Sequence, residues 1–357
     1  MVPAAGTILL TTLLGGGPAV AAAPAMIAER AAGAVVCRVK DKRLVEISGL
    51  VTDGTGYVVV NDGADDAAGR RIFFLDRRCK VKRAVSYPSR PRDAEDLARG
   101  PDGTLWVADI GDNGRSRTTI ALWRLAPGAK KPELHRMSYP DGAHDAEALL
   151  ISGDGTPVIV TKDPLTAGMY VPTGELRADA TTPLRRAGDA AVPMTSTSNP
   201  FGLPGHLVIT GGATSADGRR VVLRTYADAF EYDVPDGDPV RAISEGTPRA
   251  VALPDEPQGE SVAYSEDGRS LLTISEVTEG SAGGAGLLRY PLPDSPAAAA
   301  TRVPAAAPEA EPVTPSTRPV AATPPSGFPA GAAVAGGVLA VAAAALGIIV
   351  ARRRRTS

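Results

Sequence analysis

Short apolar runs that follow Asp-Gly turns recur along the chain at intervals close to 50 residues. The turns begin at Asp53, Asp102, Asp154, Asp217 and Asp267, so successive intervals are 49, 52, 63 and 50 residues. Each turn precedes an apolar or β-branched run, such as YVVVND or TLWVAD. An Asp-Gly pair before such a run is a strong signal for a β-hairpin. The pattern therefore predicts a repeated unit built from hairpins.

Each repeat can be divided into four short strands, which in the second repeat are AEDLARG, TLWVADI, TIALWRL and ELHRMSY. Amphipathic helical periods are scarce, and the chain carries 39 Gly and 32 Pro. Four strands in about 50 residues are typical of a propeller blade. The sequence predicts an all-β propeller of four-stranded blades over 34–292. Five units are clear, and a sixth can be assembled from AVVCRVKD and the segment near LLRYPLP. A two-sheet sandwich is the main alternative, but it does not predict the period.

The N-terminal segment has the features of a secretion signal. The apolar run TILLTTLL is followed by small residues at alternate positions, among them Ala19, Ala21, Ala23 and Ala25. Small residues at this spacing suit a signal-peptidase site. We expect a signal peptide over 1–25, with a disordered Ala-rich segment as the alternative.

The C-terminal segment predicts a membrane anchor. Residues 331–350 are 20 residues without charge, which matches the roughly 30 Å hydrocarbon core of a bilayer. Four arginines follow in the tail at 351–357 and mark the cytoplasmic side. The Pro- and Ala-rich segment at 293–330 is predicted to be an extended stalk. We therefore expect a single-pass type I protein of the cell membrane, with its body outside the cell and its C-terminus in the cytoplasm.

Charge and cysteine content narrow the class further. The chain has 38 basic and 40 acidic residues, and without the four tail arginines the balance is 34 to 40. A mildly acidic body argues against a nucleic-acid partner.

The two cysteines, Cys37 and Cys79, are predicted to form a disulfide in an exported chain. The bridge would attach the N-terminal strand to the first blade. We expect the body to be monomeric.

Carboxylates recur at equivalent positions of the repeats. Glu46, Glu95, Glu147 and Glu260 stand seven residues before four of the turns, and Thr210 holds that place in the fourth repeat. Because the first strand of each blade lines the central channel, equivalent residues become neighbours at its mouth.

Further acidic residues precede these strands or follow the second strands, among them Glu276. The predicted metal ligands are Glu95, Glu147, Glu260, Asp93, Asp145, Asp109, Asp112 and Asp62. Ca²⁺ accepts 6–8 oxygen ligands and would relieve the repulsion between them. The competing interpretation is structural, because such carboxylates also cap turns or bond to the next blade. Arg71, Arg117 and Lys162 lie next to the acidic loops and are the candidate ligand-binding residues.

Three stretches carry a family resemblance: EISGLV, DAEDLARGPDGTLWVADIGDN and QGESVAYSEDGRSLLTISE. They resemble exported actinobacterial β-propellers of the phytase-like group, also described as having esterase-like activity of phytase. The resemblance covers roughly 37–292 and implies carboxylate-bound calcium at the channel mouth.

Three functions are consistent with the sequence. The preferred one is a surface-anchored propeller that binds a cell-envelope ligand or partner protein through its channel mouth, with Ca²⁺. The alternative is a Ca²⁺-dependent phosphoesterase or esterase of the phytase-like kind, and the third is a structural envelope module. The segment GESVA approaches the G-x-S-x-G motif of serine hydrolases, but Ser261 aligns with Asp96 and Ala148 of other repeats. No catalytic residue is assigned.

Overall fold

The computed structural model describes residues 33–63, 66–277 and 283–293, and these residues form an almost entirely β structure. The predicted signal peptide, membrane span and tail, and all but the first residue of the predicted stalk, lie outside the described residues. Within the described part, no helix has the length and apolar character that crossing a membrane requires.

Within the described residues, twenty strands form five four-stranded units. Blade one contains β2 (Ile47–Thr52), β3 (Gly56–Asn61), β4 (Arg71–Asp76) and β5 (Val81–Ser86). Blade two contains β6 (Ala94–Arg99), β7 (Leu105–Asp109), β8 (Ile120–Leu125) and β9 (Glu133–Ser138). Blade three contains β10 (Ala146–Ile151), β11 (Pro157–Thr161), β12 (Thr166–Pro172) and β13 (Thr181–Ala191).

The remaining two blades contain the other strands. Blade four contains β14 (Gly211–Thr214), β15 (Arg220–Arg224), β16 (Asp228–Asp233) and β17 (Arg249–Ala252). Blade five contains β18 (Gly259–Tyr264), β19 (Ser270–Ser275), β20 (Ala285–Pro291) and the N-terminal strand β1 (Ala34–Val39). A short helix α1 (Pro239–Glu245) precedes β17, and a 3₁₀ turn (Leu203–His206) precedes β14.

The first strands of the blades contact one another in a closed cycle, which makes the fold propeller-like. The strand β2 contacts β6, β6 contacts β10, β10 contacts β14, β14 contacts β18, and β18 contacts β2. Blades two and three are also joined at their outer edges, where β13 pairs in parallel with β9. The two chain ends share blade five through antiparallel pairing of β1 with β20. The described residues therefore form five blades, and the segments considered for a sixth belong to the fifth.

The hydrophobic core is divided among the five interfaces between neighbouring blades. Between blades one and two, for example, Val58 and Ile72 pack with Val107 and Trp123, all at most 1% exposed. Equivalent clusters fill the other four interfaces. Full burial of such side chains contributes about 1.5–3 kcal/mol each. The apolar runs that predicted the repeat are thus the surfaces that hold adjacent blades together.

The predicted disulfide between Cys37 and Cys79 is confirmed. Cys37 lies on β1 and Cys79 lies in the turn between β4 and β5, with their Cα atoms 5.9 Å apart. The bridge therefore fastens the N-terminal strand, which completes blade five, to blade one. This is the connection that the sequence predicted.

Candidate metal centre

The candidate site is built on an irregularity near the start of the first strand of each blade. In four blades the pairing with the second strand skips one residue, namely Ser48, Glu95, Glu147 or Glu260. Such β-bulges re-aim a side chain without ending the strand. In blade four the equivalent residue is Thr210, which immediately precedes β14. The bulge therefore fixes which residue of each blade belongs to the central ring.

Blade one corrects the sequence alignment, because its ring residue is Ser48 and not Glu46. Thr52 pairs with Tyr57, so Asp53 is the first residue of a turn of four residues. In blade two Arg99 pairs with Leu105, and Asp102 is the third residue of a turn of five. Counting seven residues back from Asp53 therefore gives Glu46, which lies two residues before the true ring residue, Ser48.

Glu46 corresponds instead to Asp93 and Asp145. The carbonyl of Glu46 accepts a hydrogen bond from the backbone N–H of Asp62 at 2.7 Å. The carbonyl of Asp93 accepts in the same way from Gly111, and that of Asp145 accepts from Lys162.

Two ring positions are occupied by hydroxyls that fasten one blade to the next. Ser48 Oγ donates to the carbonyl of Ala94 at 3.0 Å, and Thr210 Oγ1 donates to the carbonyl of Gly259 at 3.0 Å. In each case the acceptor immediately precedes the ring glutamate of the following blade. At these two ring positions, the hydroxyl group of a short side chain is enough to join one blade to the next.

The other three ring positions bring glutamates close together. Glu95, Glu147 and Glu260 are each 0% exposed, and one oxygen from each lies within 4.8 Å of the others. Asp62 and Asp93 form a similar group with Glu95, and Asp62 and Glu276 form another with Glu260. We call these six residues the acidic cluster: Asp62, Asp93, Glu95, Glu147, Glu260 and Glu276. Five of the eight predicted metal ligands belong to it, and Glu276 is the sixth member.

Lys162 contacts the acidic cluster through Glu147. Lys162 Nζ donates to Glu147 Oε1 at 2.5 Å, and both side chains are at most 4% exposed. Burial raises the pKa of Glu147 well above its ordinary value. Burial lowers the pKa of Lys162, but the negative charges of Glu147, Glu260 and Asp145 outweigh it, so the pKa of Lys162 is raised. The second oxygen of Glu147 is buried and has no hydrogen-bond partner in the described part of the chain.

Glycines leave room beside these carboxylates. A Cβ atom on Gly111 would collide with Glu95 Oε1 and lie 2.6 Å from Asp93 Oδ2. A Cβ atom on Gly63 would lie 2.7 Å from Asp93 Oδ1. A side chain at either position would therefore force the neighbouring carboxylate to move.

The other three predicted metal ligands are engaged in loop hydrogen bonds. Asp109 accepts from the backbone N–H of Asp93 and from Arg117 Nη2, both at 3.0 Å, and from Trp123 Nε1 at 3.2 Å. Asp145 Oδ1 accepts from the backbone N–H of Asp112 at 2.8 Å. Asp112 Oδ2 in turn accepts from the backbone N–H of Arg117 at 2.7 Å. These contacts are of the kind that the structural interpretation predicts for acidic residues at strand ends.

The two arginines proposed for ligand binding are held within their own blades. The Arg117 guanidinium donates to Asp109, to the carbonyl of Gly111 at 2.7 Å and to the carbonyl of Thr119 at 3.2 Å. Arg71 Nη1 donates to Ser86 Oγ at 2.8 Å. Any ligand contact by Arg117 would therefore compete with bonds that shape the loop. Lys162 is the candidate that the fold places against the acidic cluster.

A hydrogen-bonded group beside the mouth was missed from the sequence. Tyr170 OH donates to Asp141 Oδ2 at 2.7 Å, and His144 Nε2 lies 3.0 Å from Asp141 Oδ1. His144 Nδ1 lies 3.6 Å from Asp163 Oδ2. The residues come from the loops that precede β10 and follow β11, and from β12. Their spacing in the sequence matches no recognisable motif, so only the fold brings them together.

Asp96 is another residue whose role the sequence does not reveal. It is 0% exposed and lies on the side of Glu95 away from the mouth. Its carboxylate accepts from the backbone N–H groups of Leu97 at 2.7 Å, Leu149 at 2.8 Å and Gly212 at 3.3 Å. Burial raises the pKa of Asp96 well above its ordinary value, although these three bonds act against it. Asp96 therefore fastens blades two, three and four together across the channel.

Comparison with known proteins identifies no family for this chain. No family model and no curated protein matches it. Among solved structures, it is similar to a luciferin-regenerating enzyme at 14% identity and a TM-score of 0.39, over 68% of this chain and 76% of that one. It is also similar to a streptogramin B lyase at 14% identity and a TM-score of 0.34, over 68% and 64% of the two chains. A PQQ-bound aldose sugar dehydrogenase from Streptomyces coelicolor aligns at 12% identity and a TM-score of 0.38, over 72% and 96%. Similarities at this level carry no argument about the chemistry of the acidic cluster.

Proposed function

We propose that this chain is a surface-anchored extracellular protein whose channel mouth binds a divalent cation, best matched by Ca²⁺, and through it a cell-envelope ligand or partner protein. The observation that supports the cation is the convergence of three buried glutamates. Glu95, Glu147 and Glu260 are each 0% exposed, and one oxygen from each lies within 4.8 Å of the others. Carboxylates this close repel one another when ionised, and a divalent cation bound between them would relieve that repulsion.

Calcium suits the donor set better than other metals do. The acidic cluster supplies carboxylate oxygens and no thiol, and its groups contain no histidine. Oxygen ligands from carboxylates favour hard cations such as Ca²⁺, Mg²⁺ and Mn²⁺. Mg²⁺ holds its water ligands and is rarely enclosed by protein carboxylates alone, whereas Ca²⁺ accepts 6–8 oxygens in flexible geometry. Overlapping groups of three carboxylates, whose remaining coordination positions water can fill, are therefore a better match for Ca²⁺.

The extracellular location is supported by two features. The disulfide between Cys37 and Cys79 is of the kind that persists in oxidising compartments outside the cytosol. The sequence of 331–357, an uncharged run followed by four arginines, predicts a membrane anchor with the body on the outer side.

A thermal melt of the purified full chain tests the metal proposal. The protein is stripped with EGTA and melted alone, with Ca²⁺ and with Mg²⁺. A ligand at 100 times its dissociation constant stabilises by about 2.7 kcal/mol, so Ca²⁺ should raise Tm by about 5–10 °C. The gain should disappear in the Glu95→Gln, Glu260→Gln double variant. It should persist in Glu266→Gln, which alters an exposed carboxylate outside the cluster. An unchanged Tm in the unsubstituted protein would refute the metal proposal.

The alternative function is a Ca²⁺-dependent phosphoesterase or esterase. The position of Lys162 favours it, because a cation beside a carboxylate-bound metal suits a phosphoryl or acyl oxygen. Ser261 does not support a serine mechanism, because it is 0% exposed and its Oγ donates to the carbonyl of Ile274 at 2.7 Å. Hydrolysis of a chromogenic phosphoester or acyl ester that requires Ca²⁺ and is lost in Glu95→Gln, Glu147→Gln would select the enzyme. Calcium binding without hydrolysis would select the binding function.

A further inference from the structure

A cavity lies at the end of the channel opposite the acidic cluster. It has a volume of about 210 Å³ and is lined by the far ends of all five first strands. Leu50, Leu97, Ile151, Ala213 and Tyr264 are one lining residue from each blade. Most of the wall is apolar, and no member of the acidic cluster is among its lining residues in the described part of the chain.

The cavity and the acidic cluster are separate sites. Along β6, Glu95 belongs to the acidic cluster, whereas Leu97, Ala98 and Arg99 line the cavity. Asp96 stands between them and is bonded to backbone N–H groups of three blades. A ligand in the cavity would therefore be held without the metal, and its binding does not depend on the function proposed above.

Arg99 is the only charged residue among those that line the cavity in the described chain. Its Nη1 donates to the carbonyl of Gly103 at 3.3 Å. A guanidinium carries five N–H donors in a planar fork and always keeps its charge. Arg99 therefore places a cationic group with further N–H donors at the cavity wall.

Three hydroxyl groups of the lining already donate hydrogen bonds to the strand ends and turns. Thr52 Oγ1 donates to the carbonyl of Tyr264 at 3.3 Å. Ser215 and Ser265 donate to Asp217 and Asp267 of their own turns, each at 2.6 Å. The cavity thus presents one cationic group on a mostly apolar wall, which is the pattern of a site for one anionic group attached to an apolar body.

We propose that this cavity binds a small amphipathic monocarboxylate, with its carboxylate at the Arg99 guanidinium and its apolar body between the strand ends. A cavity of about 150 Å³ holds benzene in another protein. A volume of about 210 Å³ therefore accommodates a phenyl ring or short aliphatic chain together with a carboxylate. A charge-assisted bond to guanidinium gives the acid its advantage over a neutral molecule of the same shape.

The test compares phenylacetate with its neutral analogue phenylacetamide on the full chain in EGTA, by ligand-detected NMR and by calorimetry. Saturable binding of phenylacetate, at least about ten-fold tighter than the amide, is expected. Arg99→Met keeps the aliphatic stem and should abolish this preference. Arg124→Met is the matched control, because Arg124 lies in the same blade but over the ring of Trp106 and outside the cavity.

A second variant locates the ligand without changing any charge. Ala213→Leu would fill part of the cavity, so phenylacetate binding should weaken in proportion to the lost space while Arg99 remains intact. If Arg99→Met does not fold, the comparison of acid with amide and the Ala213→Leu variant still test whether the cavity binds the carboxylate. The proposal is overturned by the absence of saturable binding, by equal binding of acid and amide, or by binding that Ala213→Leu leaves unchanged. Because EGTA is present throughout, failure of the calcium proposal does not affect this result.

Discussion

Removal of the disulfide should expose how weakly the N-terminal strand is held by packing alone. In β1, Val35 and Val36 are 51% and 37% exposed, and only Val39 is buried. The pairing of β1 with β20 also shifts register between Val35 and Cys37. The strand that completes blade five therefore buries little apolar surface. We expect the bridge from Cys37 to Cys79 to supply much of the stability of this closure.

The magnitude follows from the length of chain that the bridge encloses. A sequence separation of 42 residues corresponds to about 4 kcal/mol in the chain-entropy model. For a body of this size, each kcal/mol changes Tm by about 2–4 °C, so the Cys37→Ser, Cys79→Ser variant should melt about 8–16 °C lower.

Urea unfolding followed by tryptophan fluorescence measures the free energy of unfolding directly. Trp106 and Trp123 lie on adjacent strands of blade two and report the loss of its packing. Wild-type protein reduced with dithiothreitol is the control, and its midpoint should match that of the double variant. A loss below about 1 kcal/mol would refute the reasoning, because even small disulfide loops exceed it in the same model. A reduced wild type that keeps the oxidised midpoint, with free thiols verified, would refute it as well.

Two further predictions concern the acidic cluster. Gly111→Ala should displace Glu95, lower the free energy of unfolding by about 1–3 kcal/mol and remove the Ca²⁺-dependent rise in Tm. Gly174→Ala is the control and should keep that rise, because a Cβ atom at Gly174 meets open space. Equal behaviour of the two variants would contradict the steric argument. Glu147→Gln should cost about 3–5 kcal/mol because it leaves Lys162 buried without its carboxylate partner, while adding Lys162→Met should recover much of that loss. A double-mutant cycle in urea measures the coupling, and additive losses would show that the ion pair is not the cause.

The fold could be predicted from the sequence because its defining signals are local. Each Asp-Gly turn and the apolar run behind it lie within one hairpin, and their recurrence gives the blade. The sequence does not decide between five and six blades, because blade closure is not local. The pairing of β1 with β20 joins Val39 to Ala285, and nothing near either segment indicates its partner. Only the cysteine at position 37 hinted that the N-terminal strand is attached to blade one.

The residues of the candidate site that occupy equivalent positions in the repeats could be predicted from the sequence. Those whose role depends on the shape of a loop could not. Glu95, Glu147 and Glu260 meet because they occupy the same bulge in three blades. Ser48 was missed because the turn that served as the reference is shorter in blade one. The sequence groups Asp109 with the metal ligands. In the structure, its carboxylate accepts hydrogen bonds from backbone N–H groups of the loop before β6. Hydrogen bonds of that kind depend on backbone directions that sequence spacing does not reveal.

The five blades provide an internal comparison that separates what the fold requires from what it tolerates. Ser48 and Thr210 hold the ring position with one hydroxyl bond each, which contributes about 1 kcal/mol and leaves no charge. Three blades instead carry a fully buried glutamate, and one oxygen of each lies within 4.8 Å of the others. Lys162 pairs with one of the three. The repeat therefore explains why the carboxylates are neighbours, whereas the two hydroxyl positions show that the fold accepts a shorter, uncharged side chain at this place.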